Sequence, residues 1–158
     1  MKNKKAFLQS EATKWFERNK ERASEEIYNL DVLISWLRPF QSEINNILEV
    51  GSGSGHRLYQ LCKSLEATGQ GIEPSKDAVD FANQEFDICN FSVGTSEDLK
   101  QKSNDFDLVH LGFFLYLIDR QDYLRTISEA DRVTKIGGFI SIIDCSCSLD
   151  ANNLNSLL

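Results

Sequence analysis

The segment Glu49-Val50-Gly51-Ser52-Gly53-Ser54-Gly55 combines residue types that could do chemistry. Its glycines let the backbone take left-handed conformations and let a ligand come close to the main chain. A helix starting behind such a loop offers unpaired N–H groups. Glu49 stands two places ahead of Gly51, at the end of an apolar run. A carboxylate buried there must meet a cation, hydrogen-bond donors or water. Glu73, followed by Pro74, is a second acid, and at the tip of a strand it can accept from the two hydroxyls of a ribose. Thr95-Ser96-Glu97-Asp98 is a further polar group. Each feature also has a plain reading. The loop alone is a tight turn, Glu73 a solvated turn residue, and Ser96-Glu97-Asp98 a helix start with a serine cap. Their order within one series of strands and helices gives the chemical reading its weight.

Nucleotide cofactors of different kinds compete for such a loop. The dinucleotide fingerprint is G-x-G-x-x-G with an acid about 20 residues on. Here Gly55 comes one place early, and His56 stands where that pattern wants glycine or alanine. Glu49 would also sit badly beside a pyrophosphate. A P-loop is excluded because no G-K-[ST] follows the glycines. The acid suits a ligand that carries an ammonium and no phosphate, and S-adenosylmethionine fits: it has an amino group, a sulfonium, a ribose and an adenine.

The elements that must position these residues can be read from periodicity. Glu11 to about Arg22 reads as a polar helix with Ala12, Trp15, Phe16 and Asn19 on one side. A second helix is expected from Ser24, a good cap, with Ile27, Leu30, Leu33, Trp36 and Leu37 at helical spacing. Pro39 should stop it near Arg38. Ile47–Val50 reads as a buried strand, and Leu58, Leu61, Cys62 and Leu65 place a helix from about His56, with Gly69 ending that unit. Gln70–Glu73 is a second strand, and Ser75 caps a helix carrying Ala78, Val79, Phe81 and Ala82. Cys89–Val93 and Phe106–Leu111 read as strands, and a helix spans about Asp119 to Thr134. Gly137-Gly138 then turns the chain into the strand Phe139–Ile143. Strands that alternate with helices and are apolar on both faces predict an α/β fold: a Rossmann-like, doubly wound, mainly parallel sheet with helices on both faces and an N-terminal helical lead-in. The 158 residues suit a single domain, residues 1–158.

Composition narrows the function classes. The hydrophobic share of 41% suits a globular chain, and no run of about 18 apolar residues predicts a membrane span. The basic start is followed by too short an apolar stretch for a signal peptide, so a cytoplasmic location is expected. A net charge of −7 disfavours nucleic acid as a partner. Cys62, Cys89, Cys145 and Cys147 lack zinc-site spacing and read as reduced structural thiols, with no metal expected.

At the residues above, from about Trp15 to Cys145, the chain resembles the class I S-adenosylmethionine-dependent methyltransferases of the small-molecule type. Ile47–Gly55 resembles the family's first motif and Gly71-Ile72-Glu73-Pro74-Ser75 its second. Val93–Leu99 resembles the segment that meets the adenine, Phe106–Leu111 the fourth-strand motif, and Ala130–Phe139 the lead into strand five. The resemblance implies S-adenosylmethionine as cofactor, held by Glu49, Gly51, Ser52 and Gly53, by Glu73 and Pro74 at the ribose, by Thr95, Ser96 and Glu97 at the adenine, and by Leu111 beside the methionine part. Trp15–Asn19 resembles a lead-in that folds over the cofactor in some members, which makes Arg18 a contact candidate. The implied reaction is methyl transfer to a small-molecule acceptor.

The chain departs from the family at two places. Leu117 stands where many members carry a histidine. The family fold continues past strand five with a helix and two more strands, whereas here Ser146–Leu158 read as tail. The expectation is therefore a fragment or a minimal variant. Strand five would then be a sheet edge with Ile140, Ile142 and Ile143 under-covered, and a homodimer through that edge is expected. The same ending supports an alternative, a non-catalytic cofactor-binding or interaction domain. A general base is needed only for a hydroxyl or protonated amine acceptor. His110 is the first candidate, then Tyr116 and Asp144, but a neutral core histidine is the favoured reading of His110. No catalytic residue is assigned.

Overall fold

The computed structural model describes residues 4–19 and 30–144. A lead-in helix α1 (Lys4–Asn19) is followed by α2 (Leu30–Leu37). Then strands and helices alternate: β1 (Asn46–Val50), α3 (His56–Leu65), β2 (Thr68–Glu73), α4 (Lys76–Glu85), β3 (Cys89–Val93), β4 (Phe106–Gly112), α5 (Arg120–Val133) and β5 (Thr134–Ile143). All four strand pairings are parallel, in the order β3-β2-β1-β4-β5. This is the Rossmann-like sheet the sequence predicts. The order reverses direction at β1, so the clefts at the carboxyl ends of β1, β2 and β4 form the switch point where ligands bind in such sheets.

Both faces of the sheet are covered, by alternate residues of the same strands. Ile47 and Leu108 point into one core with Leu33 and Leu37 of α2, Leu58, Leu61 and Leu65 of α3, and Val79 and Ala82 of α4. Leu48, Val50, Val109 and Leu111 point into the other, against Ala130 and Val133 of α5. Strands buried on both faces account for the near-continuous apolar runs at 47–50 and 106–112. Ser75 caps α4, accepting from the Ala78 N–H at 3.3 Å. The segment between β3 and β4 has little regular structure and is tied down by α5: Arg132 donates to the carbonyls of Leu99 and Gln101, while Glu129 accepts from the Leu99 N–H at 2.9 Å.

Several boundaries differ from the sequence reading. The expected start of the second helix at Ser24, and the end of the first beyond Asn19, lie outside the described residues. α2 stops at Leu37, where the sequence reading puts its end, and a 3-10 turn, Arg38–Glu43, follows with proline in its first turn. Proline needs no hydrogen-bonded N–H there. Gly69 does not end α3. Glu66, at φ +56°, does so, and Gly69 lies within β2, where a Cβ would come within 2.6 Å of the Cys62 sulfur. β5 begins at Thr134, paired with Phe106. The register then shifts, and pairing resumes at Leu108 with Phe139. Gly137, at φ +82°, belongs to this irregularity and not to a turn ahead of the strand. β5 is an edge of the sheet among the described residues, with Ile140 and Ile142 39% and 51% exposed. The tail from Cys145 lies outside the described residues.

Candidate active site at the carboxyl ends of the strands

The loop after β1 takes the conformations its glycines permit. Gly51, Gly53 and Gly55 all have positive φ, at +75°, +53° and +83°. Gly55 also has no room for a side chain, since a Cβ would stand 2.6 Å from the Phe91 ring. At Gly51 a Cβ would meet the Phe114 ring at 2.9 Å, whereas at Gly53 its nearest neighbour would be Trp15 of α1 at 3.5 Å. The lead-in helix thus reaches over the loop. It is held there by Phe16 against Phe81, with ring centroids 5.6 Å apart, and by Thr13 bonded to Ser75 at 3.0 Å.

Two buried carboxylates flank this loop. Glu73, at the tip of β2, accepts from the Gly53 N–H through Oε2 and from the Ser75 N–H through Oε1, both at 3.0 Å. Burial raises its pKa, and the two N–H groups oppose the rise. Each oxygen keeps a lone pair for a further donor. Glu49, on β1, is fully buried. Its Oε1 accepts from Arg57 Nε at 2.7 Å, and its Oε2 has no partner within hydrogen-bonding geometry among the described residues. Burial raises the Glu49 pKa against the pull of Arg57 and the Leu58 N–H, and Glu73 adds to the rise. The cation that a buried acid at this position requires is therefore Arg57, in the first turn of α3.

The other expected site residues are placed unequally. Ser52 lies beside β2, with a buried hydroxyl that has no partner among the described residues. Pro74, Thr95 and Glu97 are half-buried at the same end of the sheet. Ser96 is buried with its hydroxyl 2.8 Å from that of Thr126 on α5, so its main chain is what it can offer a ligand. Leu111 is likewise buried in the α5-side core and offers the cleft only its backbone. Arg18 is exposed on α1. Trp15 is the lead-in residue that lies against the loop.

His110 is fully buried on β4. Its Nδ1 lies 2.8 Å from the Ser141 hydroxyl, and its Nε2 has no partner among the described residues. Burial and the nearby Arg57 push its pKa down to about 3. It is a neutral core histidine, the favoured of the two sequence readings. Tyr116 and Asp144 do come together at the mouth of the cleft, where the Tyr116 N–H donates to Asp144 Oδ2 at 3.2 Å. Sequence reasoning missed Arg57, Phe113 and Ser141. Of these only Arg57 left a signal, as the nearest downstream cation that a helix could carry back to Glu49. A shallow groove of about 520 Å³, lined by Arg38, Gln41, Ile44, Asn45 and Glu66 among others, lies at the opposite end of β1 and holds none of these residues.

Comparison with known proteins agrees with this fold. The demethylmenaquinone methyltransferase of Staphylococcus saprophyticus is 29% identical over 122 residues, which are 71% of this chain and 52% of that protein. The chain spans about half the length of the curated relatives it matches. Among solved structures, a Methanococcus maripaludis chain provisionally assigned as an S-adenosyl-L-methionine-dependent methyltransferase superposes with a TM-score of 0.71 at 19% identity, over 87% of this chain and 64% of that one. Geranyl diphosphate C-methyltransferase from Streptomyces coelicolor, solved with Mg2+, geranyl diphosphate and S-adenosyl-L-homocysteine, superposes with a TM-score of 0.60 at 17% identity, over 72% of this chain and 45% of that one. A family model described as a methyltransferase domain matches residues 47–138, from β1 into β5. The chain belongs to this methyltransferase-domain family, with the fold of the class I S-adenosylmethionine-dependent enzymes.

Proposed function

We propose that the chain binds S-adenosylmethionine at the carboxyl ends of β1 and β2 and serves methyl transfer to a small-molecule acceptor. The observation that carries the reading is the pair of buried carboxylates, Glu49 and Glu73, on either side of the loop Gly51–Gly55. Glu49 would repel a pyrophosphate brought to this loop, whereas a ligand with an ammonium and a ribose has a use for both acids. The orphaned Oε2 of Glu49 and hydroxyl of Ser52 are acceptors still awaiting a donor. The relative solved with S-adenosyl-L-homocysteine supports the same reading.

The cofactor supplies an electrophilic methyl group on its sulfonium. The residues of this chain orient it. Glu73 receives the ribose hydroxyls, the backbone of Gly51 and Gly53 lines the cradle, and Trp15 closes over Gly53. Thr95, Ser96 and Glu97 border the adenine and Leu111 the methionine part. Arg18 lies further out on α1. In-line displacement then requires chiefly a positioned acceptor and the exclusion of water. His110, neutral and sealed, is unsuited to take a proton, which points to acceptors that need no buried base.

The buried carboxylates account for binding and not for turnover, so a second reading, a cofactor-binding or interaction domain without turnover, rests on the same observation. Incubation with methyl-labelled cofactor and candidate acceptors separates the two, since a domain without turnover binds but releases no homocysteine product. A cytoplasmic location is part of the proposal, because the free thiols of Cys62 and Cys89 persist in a reducing compartment. Calorimetric titration with S-adenosylmethionine and S-adenosylhomocysteine tests the cofactor. Absence of both heat and thermal shift at millimolar ligand overturns it.

A further inference from the structure

We propose that Cys62 and Cys89 form an oxidation site, a thiol pair that a hydroperoxide converts to a disulfide joining α3 to β3. The inference stands apart from the cleft and holds whichever cofactor the cleft takes.

Sheet register and one glycine bring the two sulfurs together. Cys62 lies in the last turn of α3, and Cys89 is the first residue of β3. Both belong to the core on the α3 side of the sheet, and both are free thiols. Gly69 of β2 is the register partner of Cys89. Register partners in neighbouring strands stand about 4.8 Å apart and face the same side of the sheet. The Cys62 sulfur fills the space in front of Gly69, where a Cβ would stand 2.6 Å from it. It therefore sits one strand spacing from Cys89, and the two thiols share a hydrogen bond.

The shared hydrogen bond gives the thiols different roles. Donation from Cys62 lowers the Cys89 pKa, against burial and the charges of Glu49 and Asp87. The same bond raises the Cys62 pKa, and burial raises it further. Cys89 is therefore the nucleophile and Cys62 the resolving thiol. Cys89 is also the one nearer solvent. It is 4% exposed against 1% for Cys62, it lies close to the exposed Asp87 and Asn90, and β3 is a sheet edge among the described residues. Local opening of an edge strand admits a molecule as small as hydrogen peroxide. The Cys89 thiolate attacks a peroxide oxygen, the O–O bond breaks, and Cys89 becomes a sulfenic acid while hydroxide leaves and takes up the proton that Cys89 gave up. The Cys62 sulfur then attacks the Cys89 sulfur. The S–O bond breaks, the S–S bond forms, and the Cys62 proton leaves with the oxygen as a second water. Two thiols thus give two electrons to one peroxide. Cellular thiols reverse the bridge by exchange.

The test treats the full, reduced chain with hydrogen peroxide, blocks the remaining thiols, digests without reduction and maps the peptides by mass spectrometry. The expected product is a linked pair of peptides carrying Cys62 and Cys89, lighter by two hydrogen atoms than the reduced pair and separated by dithiothreitol. Cys145 and Cys147 in the same chain serve as the internal comparison. Cys89→Ser should abolish the linked pair, and Cys62→Ser should leave Cys89 as a sulfenic acid that dimedone traps. The wild-type map decides the matter even if neither variant folds. Cys62 and Cys89 that stay open to alkylation while Cys145 or Cys147 oxidises would overturn the proposal. A link between Cys62 and Cys89 that forms only after unfolding in urea would overturn it too, since the folded chain would then not be what brings the thiols together.

Discussion

At the scale of single residues, burial decides what each charged group can do. Glu49 and Glu73 are acids in places that disfavour charge, and their pKa values rise for that reason. A raised carboxyl pKa means that the folded state holds its proton to higher pH than the unfolded chain. These two groups therefore favour folding below the ordinary carboxyl value of 4.5 and lose that contribution as pH rises through their folded values. Binding of a cation at Glu49 needs the charged form, so affinity for S-adenosylmethionine should fall as pH drops through the raised Glu49 value, and binding at such pH should release a proton. Calorimetry in buffers of different ionisation enthalpy measures that release. His110 has the opposite sign. Its folded pKa of about 3 lies below the ordinary 6.5, so its contribution is complete above 6.5 and is lost as pH falls toward 3. The slope for one proton is about 1.4 kcal/mol per pH unit. The chain has two histidines, so ring NMR signals can be assigned readily, and the His110 ring should stay neutral at pH 5. A midpoint near 6.5 would refute the sealed, neutral state. Glu73→Ala should weaken cofactor binding by about 1.5–3 kcal/mol, the range for hydrogen bonds to a charged group. Titration of the variant checks this, and unchanged affinity would remove Glu73 from the ribose site.

At the scale of elements, the loop and helix starts carry constraints that side-chain chemistry alone does not show. Gly55 needs a left-handed backbone and has Phe91 and Ala82 where a Cβ would go. Gly55→Ala should destabilise the fold by about 1–2 kcal/mol from conformation and a further ~1–3 from overpacking. Gly53→Ala meets only the edge of Trp15 and should cost the conformational part alone. Urea unfolding of both variants tests the difference, and equal losses would show that packing at Gly55 is not tight. The clamp of Arg132 on the segment between β3 and β4 makes a separate prediction. Arg132→Ala should raise amide exchange from Leu99 to Ser103 while leaving β1 and β4 protected, because the bonds to the Leu99 and Gln101 carbonyls are lost locally. Uniform exchange across the sheet would contradict that local role.

At the scale of the whole molecule, the sheet has two unlike ends. Among the described residues one edge is β3, and the other is β5 with half-exposed Ile140 and Ile142. Open strand edges favour pairing with another chain. We propose self-association through the β5 edge seen among the described residues, which Ile142→Lys should reduce. Sedimentation at rising concentration checks this, and a wild-type monomer throughout would count against it. No helix among the described residues is long and apolar enough to cross a membrane. The acidic composition and the buried acids at the cleft agree in direction, since both disfavour polyanionic partners.

What the sequence alone determined is what depends on near neighbours. Apolar runs at 47–50 and 106–111 marked strands buried on both faces, the spacing of Leu58, Leu61, Cys62 and Leu65 marked α3, and the glycines marked the loop with positive φ. Strand, helix and turn preferences act over a few residues, and so these elements and their order were legible. Glu49 and Glu73 stood out for the same reason, as acids near the ends of short strands that lead into loops. Only the tertiary structure decided which residues meet across the sheet. Arg57 closes on Glu49 because α3 packs back over β1. Ser96 turns to Thr126, thirty positions on, because α5 lies over β4. His110 is sealed by Ser141 on the neighbouring strand. Contacts between residues far apart in the chain are set by strand order and packing. A short window of sequence holds the residue types that could make such contacts and not the neighbours that select among them.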